Sequence, residues 1–231
     1  MRAIRTAIIL GLLLWAGAVP ARAAAPYFLS RETVNLSQLL APPPGPQDAP
    51  TMAELEELRQ IQKTRTPERV ATARADQDES LLRFLLVFSQ PLTAEHLPKT
   101  VALFKHLAAD AEFATGPAKK AFARPRPDTV AGDLTPACPR SASGAYPSSH
   151  ATAGYLMGIV LAAMVPEQRN AIFVRAHDFA ESRLVCGVHH RADIEAGRIA
   201  GTALAAVVMN DSKFKAAFAA ARAELRGALG F

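Results

Sequence analysis

Three segments of this 231-residue chain combine histidine, basic and hydroxyl side chains at spacings that can do chemistry. In the run Glu181-Ser182-Arg183 through Cys186-Gly187-Val188-His189-His190-Arg191-Ala192-Asp193, His189 and Asp193 stand four residues apart. On a helix such residues share a face and lie within reach of each other. A carboxylate bonded to one imidazole nitrogen fixes the tautomer and aims the other nitrogen outward, as a histidine nucleophile or base requires. Standing alone, the segment reads as a surface His–Asp pair. In the second segment, Gly144-Ala145-Tyr146-Pro147-Ser148-Ser149-His150-Ala151, small residues and a histidine directly precede a long apolar run. The free N–H groups of a helix start form an anion site in their own right, although a plain serine cap with a solvent-facing histidine has the same look. The third, Lys119-Lys120 to Arg124-Pro125-Arg126-Pro127, supplies cations; by itself it reads as a solvated basic loop.

Helices must bring these segments together. Ala151 to Val165 carries no charge and is stopped by Pro166-Glu167; Ile194 to Met209 is similarly apolar and rich in small residues. Both suit closely packed helices in a core, and both are too short to span a membrane comfortably. Thr51 to Lys63 has helical spacing, and Thr66-Pro67-Glu68 marks a second helix start, with a bend expected before Leu81–Phe88. A further helix is expected from Thr93 over Ala94 to Ala109, with a less regular stretch from Phe113. Lys213 to Leu229 places Phe214, Phe218, Leu225 and Leu229 on one face. Period-two alternation is almost absent, so the chain is predicted to be mostly helical.

The N-terminus sets the compartment. Arg2 and Arg5 precede the apolar run Ala7–Val19, and Ala21-Arg22-Ala23 matches a signal-peptidase site. Residues 1–23 are read as a signal peptide, 24–50 as a proline-rich extended arm, and 51–231 as one helical domain. The expected location is the periplasm, with no membrane anchor. The formal charge is +5, but Arg2, Arg5 and Arg22 belong to the leader. The exported part is only weakly positive, which gives no general case for nucleic acid or a membrane surface as partner. Cys138 and Cys186 are the two cysteines, and in an exported chain such a pair is expected as a disulfide. No zinc spacing occurs; His189 and His190 point about 100° apart if helical.

Taken together, Lys119-x6-Arg126-Pro127, Pro147-Ser148-Ser149-His150 and Ser182-Arg183-x5-His189-x3-Asp193 resemble the three-part signature of the type-2 phosphatidic acid phosphatase superfamily. Within it the chain is most similar to the class A bacterial non-specific acid phosphatases, over essentially the whole mature part. The resemblance implies an all-α, single-domain helical bundle with the phosphate site at its centre. It implies small phosphomonoesters as substrates of broad range and no cofactor. Lys119, Arg126 and Arg183 would bind the phosphoryl oxygens, with hydrogen bonds from Ser148 and the backbone around Ser149. His189 would attack phosphorus, Asp193 orient it, and His150 protonate the leaving alcohol. Charge in phosphoryl transfer sits on the equatorial oxygens, so three fixed cations can do this without a metal.

Lys120, Arg124, His190 and Arg191 flank motif positions without occupying them, and His96, His106 and His177 fall outside every motif. The family usually has glycine at Ser149, where a side chain adds bulk and restricts φ. Three rival readings fit less well. A vanadate-dependent haloperoxidase would be longer, a membrane lipid phosphatase would need several spans, and a pure anion-binding protein would not need His189, Asp193 and His150 at this spacing. The proline-rich arm is the segment that would pack across a second copy in a homo-oligomer.

Overall fold

The computed structural model describes residues 26–30 and 32–231; the expected signal peptide lies outside them. The described residues form ten α-helices and one 3₁₀ turn, with no strand, as the all-α expectation requires. In chain order these are α1 (Leu36–Leu39), α2 (Ala49–Thr64), α3 (Pro67–Ala75), α4 (Leu82–Leu85), α5 (Pro98–Phe122) and α6 (Pro127–Val130). After them come α7 (Ser149–Met164), the 3₁₀ turn Pro166–Gln168, α8 (Arg169–Val185), α9 (Arg191–Val208) and α10 (Ser212–Leu229).

Helix α7 is the axis of the bundle, with α5, α8 and α9 packed against it and α10 touching it. Its sequence explains the position: it is apolar all round, so every face must be covered. Leu156, Met157, Val160 and Leu161 are fully buried there, each such side chain contributing ~1.5–3 kcal/mol. Two glycines let α9 come close. A Cβ on Gly197 would lie 2.7 Å from Ala151 Cβ and 2.8 Å from Ser148 O, and one on Gly201 would lie 2.5 Å from Thr152 O. The close approach holds the first turn of α9 against the start of α7, where the Ser148 N–H donates to the Asp193 carbonyl at 3.0 Å.

Local signals mostly place the other elements. Thr66 caps α3, its hydroxyl accepting from the Arg69 N–H at 3.2 Å, with Pro67 next in the first turn. The chain bends after Asp76 and resumes helix at Leu82. Helix α2 begins at Ala49, two residues earlier than expected, and Thr51 is buried inside it.

Helix α5 differs from the expectation at both ends. It starts at Pro98, not Ala94, because a residue before proline is driven out of the helical region: Leu97 has φ −130° and ψ 46°. It also continues through Phe113 to Phe122 despite Gly116 and the internal Pro117. The buried series Leu107, Ala111, Ala114, Thr115, Ala118 and Lys119 keeps one face of the helix on the core. Packing outweighs the local breakers, and this extra length carries Lys119 to the site.

Residues 26–30 and 32–48 contain α1 as their one helix, with turns besides, and bury Phe28, Leu29, Leu36 and Leu40 in the principal core. The Asp110 carboxylate accepts the backbone N–H groups of Tyr27 (2.5 Å) and Phe28 (2.9 Å). Cys138 and Cys186 are joined as expected, tying the loop before α7 to the end of α8. Among the described residues no helix is long and apolar enough to cross a membrane.

Candidate active site

A cavity of about 200 Å³ opens where the C-terminal part of α5, the start of α7, the end of α8 and the loop before α9 converge. Lys119, Arg126, Ser149, His150, Arg183 and His189 line it, and Gln77, Glu79, Glu112 and Arg140 stand around them. Segments far apart in sequence thus supply one site.

His189 lies in the short loop between α8 and α9 and is 4 % exposed. Arg126 Nη1 is 2.8 Å from its Nε2. A guanidinium can only donate, so Nε2 accepts and carries a lone pair toward the cavity wall. The proton is then on Nδ1, 3.3 Å from Asp193 Oδ2. Burial, together with the positive charges of Arg126 and Lys119, pushes His189 down to about 3, so the imidazole is neutral.

Asp193 is fully buried. Burial pushes its carboxyl up, but hydrogen bonds from His189 and His190 outweigh this and hold it below the usual carboxylate range. Its Oδ2 accepts the His190 backbone N–H at 2.8 Å, closing a cap on α9. Its Oδ1 accepts from Arg124 Nη1 at 2.7 Å, and Arg124 Nη2 reaches Glu54 Oε2 at 2.6 Å. Glu54 Oε1 in turn accepts the Ala192 N–H at the same helix start. Arg124 and His190 therefore hold Asp193 from behind and do not line the cavity.

The three cations are fixed by backbone carbonyls and burial. Lys119 Nζ and Arg126 Nη2 share the Gly144 carbonyl, at 3.0 and 3.4 Å, and a Cβ on Gly144 would lie 2.9 Å from Lys119 O. Arg183 Nη2 donates to Cys186 Sγ, while its buried Nε has no partner among the described residues. A buried donor left over in a cationic cavity is what an anion site provides. Burial and Arg126 lower Lys119 to about 8, and burial lowers Arg183 to about 10.

The two serines divide. Ser148 is the N-cap of α7: its hydroxyl accepts from the Ala151 N–H at 3.2 Å, and it is not among the cavity-lining residues. Ser149 lines the cavity as the first residue of the helix, needs no positive φ, and meets Thr115 Oγ1 at 3.0 Å with its hydroxyl. The bulk that replaces the usual glycine is thus taken up by a hydroxyl pair with α5.

His150 stacks on Phe179, with ring centroids 4.0 Å apart and planes 14° apart. Its Nδ1 lies 3.1 Å from Glu79 Oε1, and its buried Nε2 has no partner among the described residues. Burial lowers the His150 pKa, with Glu79 opposing and Arg183 adding to the fall. Neither Glu79 nor Arg124 was found as a supporting residue by sequence reasoning. Both act through contacts between distant segments, and no local spacing marks them. The other excluded residues stay outside: Lys120 is exposed, and Arg191 pairs with Glu57 and Glu181. His96 is exposed, His106 stacks on Tyr27, and His177 meets the Tyr155 hydroxyl.

Residues 100–216, which contain every motif position, match the PAP2 superfamily. The chain belongs to that family. It is 30% identical over 211 residues to the non-specific acid phosphatase of Salmonella typhimurium, covering 87% of this chain and 84% of that one. The non-specific acid phosphatase of Providencia stuartii is 28% identical over 203 residues, covering 82% and 80%. The resemblance to class A non-specific acid phosphatases thus extends over most of both chains. In fold, the chain is similar to a bacterial vanadium-dependent iodoperoxidase, with TM-score 0.60 and 19% identity over 76% of this chain. It spans about half of that peroxidase, 53% of its length.

Proposed function

We propose that this PAP2 family member hydrolyses a broad range of small phosphomonoesters by a metal-independent, two-step transfer through His189. The chain is a phosphoric monoester hydrolase of the acid phosphatase kind. The observation that carries the covalent route is the contact of Arg126 Nη1 with His189 Nε2, because it identifies Nε2 as the ring nitrogen that bears the lone pair on a histidine lining the cavity. In the first step Nε2 forms a P–N bond as the ester P–O bond breaks, and the leaving oxygen takes a proton from His150 Nε2. In the second, water attacks phosphorus, the P–N bond breaks, and the water proton passes to His150. Lys119, Arg126 and Arg183 would hold the equatorial oxygens, with the Ser149 N–H at the start of α7 as a further donor. Their charge supports the metal-free reading, and the leader sequence supports export to the periplasm.

Rapid quenching with a phosphate-labelled ester tests the route. Label should appear on the protein, be lost in acid and survive alkali, as a phosphoramidate does, and be absent from His189→Ala. Turnover should persist under exhaustive chelation and be inhibited by vanadate, which adopts the five-coordinate geometry of the transition state. Steady turnover without a labelled intermediate, or activity lost to a chelator and restored by a divalent ion, would refute it.

A further inference from the structure

The second histidine of the cavity has a carboxylate partner that no motif supplies. Glu79 stands in the bend between α3 and α4, on the cavity rim, and its Oε1 is 3.1 Å from His150 Nδ1. The opposite nitrogen of the ring, Nε2, is buried and without a partner among the described residues, and the ring is clamped flat on Phe179. From this geometry we propose that Glu79 is the positioning residue of His150, directing Nε2 to the leaving-group oxygen and supporting the imidazolium form. The inference rests on the two-step reading above.

The reaction asks His150 for two opposite services. In the first step it must start protonated and give up the Nε2 proton; in the second it must start neutral with its lone pair on Nε2. A carboxylate that accepts from Nδ1–H satisfies both, because the neutral ring then keeps its proton on Nδ1 and leaves Nε2 open. Without it, the neutral ring is free to take the other tautomer, and the water of the second step meets an N–H.

The charged groups around the pair make Glu79 necessary. Arg183 of α8 bears on both members, and Lys119 of α5 bears on Glu79, while burial works against the imidazolium. Asp76, in the same bend, also faces His150, but Arg83 and Arg175 both pair with its Oδ1. Glu79 is thus the carboxylate in hydrogen-bond contact with His150. Its side chain is 32% exposed, so replacing it does not leave a fully buried hole.

The test is single-turnover phosphoryl transfer with saturating ester, followed across pH for the parent enzyme, Glu79→Gln, Glu79→Ala and His150→Ala. With an alkyl phosphate, Glu79→Gln should move the limb on which activity falls with rising pH to lower pH. At a fixed pH above that limb the rate should drop about tenfold or more, as loss of an opposite charge at this distance implies. Nitrophenyl phosphate, whose leaving group departs without a proton, should be nearly unaffected. Glu79→Ala should show the same shift with a further loss, since the ring is no longer held. An unmoved limb in Glu79→Gln, or equal slowing of both esters, overturns the role of Glu79 if His150→Ala still separates the two esters. If His150→Ala also treats the esters alike, the general-acid reading of His150 fails and the proposal falls with it.

Discussion

Two histidine–carboxylate pairs share one cavity, and they differ in what else holds the carboxylate. Asp193 is fully buried, and its charge is divided among His189, His190 and Arg124. It orients His189 yet does not impose a proton on it, because burial, with Arg126 and Lys119 adding to it, disfavours the charged ring; the ring stays neutral. Glu79 is partly exposed, and its carboxylate is hydrogen-bonded to His150. Among the described residues no guanidinium shares its charge at hydrogen-bond distance, so it can support an imidazolium. In the proposed mechanism the same pair of residue types makes a nucleophile in one place and a proton carrier in the other. Burial lowers both rings; what differs is the company of the carboxylate, since Asp193 also bonds Arg124 and the His190 N–H.

The sharpest contrast is in turnover. His189→Ala should lower hydrolysis of every ester by about 10⁴-fold or more, because the proposed attacking atom is removed. A variant that keeps a substantial rate on any ester would dissolve the distinction between the histidines.

Stability should separate the carboxylates next. Asp193→Asn leaves Arg124 buried with one fewer partner charge and should cost ~3–5 kcal/mol. Glu79→Gln, at the rim, should cost less than about 1 kcal/mol. Urea unfolding of both variants checks this, and similar midpoint shifts would mean the two carboxylates are held alike.

A third contrast lies in the leaving group. His150→Ala should slow phosphoryl transfer from alkyl phosphates by about 10²-fold, and transfer from nitrophenyl phosphate much less. Single-turnover rates are needed, since a slow second step would hide the effect.

The smallest effect concerns a cation that bears on both pairs. Lys119, lowered to about 8 by burial and Arg126, is charged below that pH and loses its proton above it. Competitive inhibition by inorganic phosphate should therefore weaken by roughly tenfold as pH rises through about 8. Lys119→Arg should flatten this decline; an equally steep one would assign it to another group.

Much of the site was legible because its signals are local. His189 and Asp193 meet across four residues, Ser148 caps the helix that it begins, and the uncharged run after it had to become a buried helix. The cysteine pair was legible from its count and from the expected export. Helix α5 was misjudged at both ends, where proline fixed the start and core packing carried the helix past Gly116 and Pro117.

The sequence by itself pointed to most of the helices, to the cavity cations Lys119, Arg126 and Arg183 and to both cavity histidines, but not to α8 or to Arg140 at the same cavity. Periodicity, capping and motif spacing act within a few residues and survive in one dimension. Only the tertiary structure decided which charges face which ring. Glu79 reaches His150 across 71 positions, and Arg124 reaches Asp193 across 69. Such contacts exist only once α9 lies on α7 and the bend after α3 closes over them. Electrostatic environment is a sum over spatial neighbours, and no spacing along the chain records it.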